Sequence, residues 1–472
     1  MIDGVGVVIV GGLLIALLPR RAAAIPLLLT AAYTTRVPVL ALGPANLSAL
    51  RILVLVGIVR VVGRRERMAN GLNQTDGFLF AWATFLICVS LFHNTAAWTF
   101  RLGLMLGEVG VYFLCRVFIQ NAEDARWLFK VLCLSIVPLA LLMVLEKYSA
   151  YNYFGGELNF RDGHVRAYGP FGHPILAGTA GATFVPLALC LWRTHRLTAL
   201  LGLCAAVAIV LATTSSGPVM MVVFICLSLT IWRFRDRLGA IRWAAVAAVI
   251  GLQLVMNDPV YFLIARIDLT GSSTGWHRAQ LIRSAIEHFD EWWAVGTDYT
   301  RHWMATGIPA NDINTDITNH FLMMGVWGGL PLLTLFVLML MACFRALGRA
   351  LKENAGRSPE HAFFVWTLGT LLFGHVINFW SITLFDQSIS FFYLVLATIG
   401  AIQVPVPSVA RPALSRPQHR NRGLPPSRAV TVPVRTTVDA SLAAPSLLAG
   451  RVRSPVRRQC IDSNRESNNS NG

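Results

Sequence analysis

From Val5 to Gln403 the chain is a near-continuous series of apolar stretches, each roughly 15–25 residues, the length a helix needs to cross bilayer hydrocarbon. Such a series predicts an all-α fold: a polytopic bundle of transmembrane helices joined by polar connections, with a large outer-face loop containing amphipathic helices. The predicted spans lie near residues 4–18, 23–42, 48–63, 77–93, 99–118, 127–145, 174–192, 197–213, 218–233, 240–256, 319–344, 362–381 and 384–402, about twelve or thirteen in all. Composition agrees, because 55% hydrophobic and 14% charged residues are far from the balance of a soluble globular domain.

Basic residues orient such a bundle, since Lys and Arg in short loops stay on the cytoplasmic side. The clusters Arg20-Arg21, Arg64-Arg65-Glu66-Arg67, Arg193 to Arg196, Arg233 to Arg242 and Arg345 to Arg357 fall on alternate connections. One topology satisfies them all. It puts the N-terminus outside, the C-terminal tail inside, and the two long polar segments, 147–173 and 257–318, on the outer face. Met1-Ile2-Asp3 lacks a basic n-region, so no cleavable signal is expected. The net charge of +16 sits in cytoplasmic loops and in the tail after Val404, where positive-inside retention accounts for it without a nucleic-acid partner. Residues 1–402 therefore read as a membrane domain and 403–472 as a disordered Pro- and Arg-rich cytoplasmic tail that rests on anionic lipid headgroups. None of the eight cysteines has disulfide or metal spacing.

There is no Walker loop, no GxGxxG after a strand, no HExxH and no outer Asp-x-Asp pair, so neither metal nor other cofactor is expected. Polar residues instead gather at the outer boundary of the predicted spans. Phe160 to Pro174 carries three glycines and two prolines and reads as a tight re-entrant turn that aims Arg166 and His173 at the mouth of the next helix. A plainer role for Arg166 is snorkelling to phospholipid phosphate. Thr213-Thr214-Ser215-Ser216-Gly217-Pro218 is a short turn whose amides and hydroxyls suit an anion at a helix start, or merely cap that helix.

Within the larger loop, Ser273 or Thr274 caps a predicted amphipathic helix with Ala279, Ile282, Ile286 and Phe289 on one side. Its polar side carries His277, Arg278 and Arg283, where arginines can hold a diphosphate bidentately or simply be solvated. Trp292-Trp293 suits interfacial anchoring. His320, behind Asp316 and Asn319 at the start of a span, is the candidate for proton transfer, or a hydrogen-bonded boundary residue. Arg101 and Glu108 fall inside a predicted span, where ionised groups face protein or water. They line a lipid-binding cleft on one reading, and on the other Glu108 forms an internal ion pair with an arginine of another span.

This order of features resembles the O-antigen ligase and polymerase superfamily, membrane glycosyltransferases that use polyprenyl-diphosphate-linked glycans outside the bacterial cytoplasmic membrane. The similar points are Arg166, Gly169, Phe171, His173 and Pro174, the turn Ser215 to Gly217, the long outer loop, and Asn319-His320 followed by Gly325 to Leu330. The likeness spans roughly residues 40–402. Family members commonly have Ser-Arg-Gly where this chain has Ser215-Ser216-Gly217, His-Asn for Asn319-His320, and Gly-x-Gly for Ala294-Val295-Gly296. The resemblance implies a metal-independent transferase of the inner membrane. Arg166, Arg278 and Arg266 would hold the diphosphate, His320 would be the base or orient the acceptor, and Asp316 would fix its imidazole. The implied partners are a lipid-linked glycan donor, a glycan or lipid A core acceptor, membrane lipids, and chain-length regulator and flippase proteins. A transporter or flippase for the same lipid-linked oligosaccharide is the alternative.

Overall fold

The computed structural model describes residues 4–35, 38–42, 45–266, 275–353 and 359–402, and the predicted tail lies outside them. The described chain is mostly helical. In order come α1 (Gly4–Leu17), α2 (Ala24–Tyr33), the ribbon β1 (Pro38–Leu42) and β2 (Ala45–Ser48), α3 (Ala49–Gly63), α4 (Gln74–Val89), α5 (Thr95–Phe118) and α6 (Ala122–Ser149). A second ribbon, β3 (Phe160–Arg161) and β4 (His164–Val165), precedes α7 (Pro174–Leu189), α8 (Arg196–Ala212), α9 (Ser216–Thr230) and α10 (Leu238–Val255). The long polar segment carries a 3-10 turn at Val260–Phe262, α11 (Leu263–Arg266), α12 (Gly275–Glu287), α13 (Phe289–Trp292) and a 3-10 turn at Arg301–Met304. The chain then continues through α14 (His320–Glu353), α15 (Pro359–Asn378) and α16 (Ile389–Ala401).

Among the described residues, four helical stretches are long and apolar enough to cross a membrane: Gln74–Phe92, Ala122–Ser149, Ser216–Val255 and His320–Glu353. The third is two helices rather than one, because Phe234 leaves helical geometry between α9 and α10. No residue of α10 is buried by protein, although it is apolar apart from Arg242 near its start and Gln253 near its end, with Leu254 81% and Val255 84% exposed. A helix of that kind needs an apolar solvent.

The helices fall close to the predicted spans, with one exception at the N-terminus. The stretch 23–42 was expected to be a single span, but α2 ends at Tyr33 and Pro38–Leu42 is a strand antiparallel to Ala45–Ser48. β-Branched Thr34 and Thr35 and then Pro38 are poor helix residues, and Thr34 closes α2 with its own amide and hydroxyl on the Thr30 carbonyl. Elsewhere the starts are chemically marked. Asn73 and Asp76 form a capping box for α4, and Asn94 and Asn121 cap α5 and α6. The core runs through α7 and α16, and all of α16 is buried.

One helix is broken where a continuous span was expected. In α14, Gly328 and Gly329 have non-helical backbone, Gly329 at φ +71°. An unbroken helix would pair the Leu330 amide with the Val326 carbonyl. Here Leu330 donates instead to the Trp293 carbonyl (2.7 Å), and the Val326 carbonyl accepts from Thr297 (2.9 Å). The turn 293–297 thus supplies both ends of one displaced helical bond, and Pro331 sits in the first turn of the second half, where a missing N–H is harmless. Gly296, at φ +85°, lies so close that a Cβ would fall 2.3 Å from the Val326 oxygen. Gly296→Ala is expected to cost at least about 1–2 kcal/mol from its dihedral alone, with the clash in addition, read as a lower unfolding temperature in detergent and faster proteolysis of the 257–318 segment.

Candidate functional site

The segment between α6 and α7 is held by buried polar groups. Glu146, near the end of α6, accepts from the Tyr168 and Gly169 amides (3.1 and 2.9 Å) and from Asn152 Nδ2 (3.1 Å). The Ala167 amide donates to the Ala212 carbonyl at the end of α8. Arg166, only 6% exposed, donates from its guanidinium to Ser215 Oγ (2.7 Å) and from Nε to the Thr213 carbonyl (3.3 Å). Lipid snorkelling therefore does not describe Arg166. Asp386 Oδ2 accepts from the Gly172 amide (2.8 Å), and Gln387 donates to the Pro170 and Thr34 carbonyls (both 2.8 Å).

A ring of contacts closes from there. Gly217 packs on Ser381 and Asn378 at the end of α15, Thr383 Oγ1 donates to the Ile317 carbonyl (2.6 Å), and His277 Nε2 reaches the Asp316 carbonyl (3.4 Å). The N-termini of α7, α9, α12 and α14 and the C-terminus of α15 consequently share one neighbourhood. Ser215 precedes α9 but its hydroxyl does not cap the helix, being used by Arg166 and the Thr213 carbonyl. Ser216 is half-buried in the first turn.

Arg278 is buried, and among the described residues its Nε has no hydrogen-bond partner; the same is true of Thr318 Oγ1 and His320 Nδ1. Buried polar atoms are ordinarily paired, so these three open positions, two of them at the start of α14, are candidates for polar ligand atoms. Burial brings the Arg278 guanidinium down to about 10, with repulsion from Arg161 acting the same way and Asp316 opposing. Arg166 also falls to about 10 through burial and then Arg161. Both remain cationic near neutral pH. Asp316 is raised by burial, partly offset by His277 and Arg278. Arg161, which the sequence reading had not separated from its neighbours, thus adds its field at Arg166, His173 and Arg278 together.

Other expectations change. The Asp316–His320 pairing is not among the described contacts: Asp316 faces His277 and Arg278, whereas the His320 ring lies against Phe379 (4.7 Å between centroids) and Phe336 (5.4 Å). Asn319, a catalytic candidate, is the N-cap of α14, with Oδ1 accepting from Leu322 (3.0 Å). Arg278 and Arg283 do not share a face, because five residues at about 100° each leave them roughly 140° apart. Arg283 lies over the Phe262 ring, and exposed Arg266 pairs with Asp258 at 3.7 Å. Neither contact joins them to the Arg166 and Arg278 neighbourhood.

The face of α12 expected to be apolar is partly outward, with Ile286 and Phe289 exposed, while His277, Arg278, Leu281, Ser284 and Ala285 are buried. Its proposed cap, Ser273 or Thr274, lies outside the described residues. Trp292 is buried, donating to the Ala285 carbonyl, and Trp293 is half exposed. Glu108 takes a hydrogen bond from Tyr393 (2.9 Å), and Arg101 reaches Ser90 and Asp298. Asp298 also binds His93 Nδ1 (2.7 Å) and the Asn94 amide (2.8 Å), which ties the long polar segment to the α4–α5 junction.

Glu146, Asp386 and Gln387 were not anticipated. The one available signal was an acidic residue beside an amide in an otherwise apolar context, Leu384-Phe385-Asp386-Gln387, which span counting treats as a mere boundary. In comparisons with known proteins, no family model and no curated sequence matches this chain.

His173 caps α7, its Nδ1 accepting from the Ile175 amide (3.2 Å), which requires an unprotonated nitrogen. Burial, then Arg166 and Arg161, bring the imidazole down to about 4 from its ordinary 6.5. The unfolded chain binds the proton more readily, so this contribution is full above about pH 6.5 and is lost as pH falls toward 4. His173→Asn keeps a cap acceptor worth about 1 kcal/mol without titrating, so its unfolding temperature should fall less than the wild type's between pH 7 and 4.5.

Proposed function

We propose that this protein is a membrane glycosyltransferase of the O-antigen ligase and polymerase kind, working in the bacterial cytoplasmic membrane as a multi-pass bundle with its site at the outer face. The observation that carries the reading is a pair of buried arginines, Arg166 and Arg278, that both feel the field of Arg161, with Thr318 and His320 open at the start of an apolar helix. A lipid-linked diphosphate offers what this neighbourhood lacks, anionic oxygens presented at the level of helix ends. Arginine suits that role because its planar donors match phosphate oxygens. The open first turn of α9 adds amides of the same polarity. The largely apolar α10, unburied by protein, and the long apolar helical stretches support the membrane setting.

In the reaction the bond between the anomeric carbon and the diphosphate oxygen breaks, and the acceptor hydroxyl oxygen bonds to that carbon. Polyprenyl diphosphate leaves with the electron pair. Arg278 and Arg166, with Arg161 reinforcing the field, stabilise the charge that develops on it. His320 Nδ1 takes the hydroxyl proton, and Phe336 and Phe379 hold the ring. Asp316 acts through His277 and Arg278, not through His320, and Arg266 and Arg283 serve the surface of the polar segment. The acceptor is a second lipid-linked repeat in a polymerase and a lipid A core in a ligase.

The test is reconstitution of purified protein with polyprenyl-diphosphate-linked repeats, scored by product size with and without lipid A core. A ladder without added acceptor means polymerase, and acceptor-dependent transfer means ligase. Arg278→Ala and His320→Ala should each lower transfer at least about 100-fold, with Arg278→Lys retaining part of it. Full transfer by both alanine variants would remove these assignments. Movement of labelled lipid-linked glycan across vesicles without a new glycosidic bond would favour a flippase.

A further inference from the structure

We propose that His288, Glu291 and His302 form a site for one divalent transition-metal ion of the zinc class, remote from the candidate reaction centre. Their potential ligand atoms lie within 4.8 Å of one another. His288 Nδ1 is 2.8 Å from the Ser284 carbonyl, which can only accept, so Nδ1 carries the proton and Nε2 keeps its lone pair. His302 Nε2 lies 2.9 Å from both Glu291 oxygens. A plain ion pair would use only those two residues. His288 brings a third potential ligand into the same cluster, and a cation is a partner that all three can share.

The surroundings are those of a metal ligand set. The Ser284 carbonyl orients one imidazole, Trp303 Nε1 donates to Glu291 Oε2 (2.9 Å) and leaves Oε1 for the ion, and Tyr299 stacks on the His302 ring at 4.7 Å. Two imidazoles and one carboxylate suit zinc and its neighbours better than calcium or magnesium, which prefer all-oxygen sets. Zinc-to-ligand distances of about 2.0–2.1 Å put tetrahedral ligand atoms roughly 3.4 Å apart, so on binding His302 and Glu291 part slightly from their 2.9 Å contact while the wider separations, up to 4.8 Å, close. His302 and Glu291 are exposed and free to do so.

The ion has a structural task. His288 stands ten positions beyond Arg278, about 15 Å along a helical path. The metal therefore does not touch the reacting groups, and instead ties the end of α12 to the 3-10 turn bearing His302. Trp303 in that turn belongs to the small core with Leu281, Ala285, Trp292, Met304, Ile317 and Val326, so a tie there steadies the helix that carries Arg278.

The experiment uses the full chain, purified without a histidine tag, stripped with chelator and titrated with Zn2+ against a chromophoric indicator. The wild type should bind one equivalent, and His288→Ala and His302→Ala should each weaken it at least about 100-fold, since outer-shell losses alone reach about 10–100-fold. Equal affinity in wild type and both variants overturns the proposal. A second measurement needs no variant. Saturating Zn2+ should protect His288 and His302 of the wild type from diethyl pyrocarbonate, read by mass spectrometry, and unchanged modification of both overturns it.

Discussion

The displaced helical bond in α14 is the interaction on which the rest of the site depends. Gly328 and Gly329 part the Leu330 amide from the Val326 carbonyl, and each finds its partner in the turn 293–297. A buried amide or carbonyl left alone costs about 1–3 kcal/mol, so helix and turn have to form together. Once the turn is seated, Asp298 meets His93 and Arg101, and the small tryptophan-rich core carries α12 against the start of α14. The position of Arg278 is thus a consequence of a break more than 40 residues further along the chain.

Buried charge falls into two kinds here. Glu146 and Asp386 are saturated by backbone amides and act as staples for the 150–173 segment. At the opposite ends of the helices, Asp76 of α4 pairs with Arg116 of α5 at 3.3 Å, while Arg60 of α3 pairs with Glu66 in the following connection at 2.9 Å and donates to the Ile15 and Leu18 carbonyls at the end of α1. Arg278, Thr318 and His320 each keep a buried polar atom without a partner among the described residues. Arg116 keeps open donors too, so what sets the first three apart is their place in the long polar segment and at the start of α14.

Much of the fold was legible because bilayer-length apolar runs are a one-dimensional signal. Helix starts were less legible: the expected spans begin at 77, 99 and 127, whereas Asn73, Asn94 and Asn121 cap helices that begin three to five residues earlier. The site was legible only in outline. Arg166 and Ser215 were both singled out, yet their direct hydrogen bond joins residues 49 positions apart, which no spacing rule reveals. Asp316 and His320 were paired for their closeness in sequence, and the helix start turned them apart. Asn319 looked catalytic for its place beside His320, but a residue just before a helix is first of all a cap.

By itself, the sequence determined the helical class, the approximate helix positions and the concentration of polar chemistry in the segments 147–173 and 257–318, because length and apolarity are properties of contiguous residues. Tertiary structure alone decided which polar groups are used up. Arg283 and Arg266 found Phe262 and Asp258, Arg166 found Ser215, and Arg278 remained incompletely paired. The physical reason is that hydrogen-bond saturation depends on which chain segments meet in three dimensions, and those meetings are set by packing between distant helices and by the break in α14.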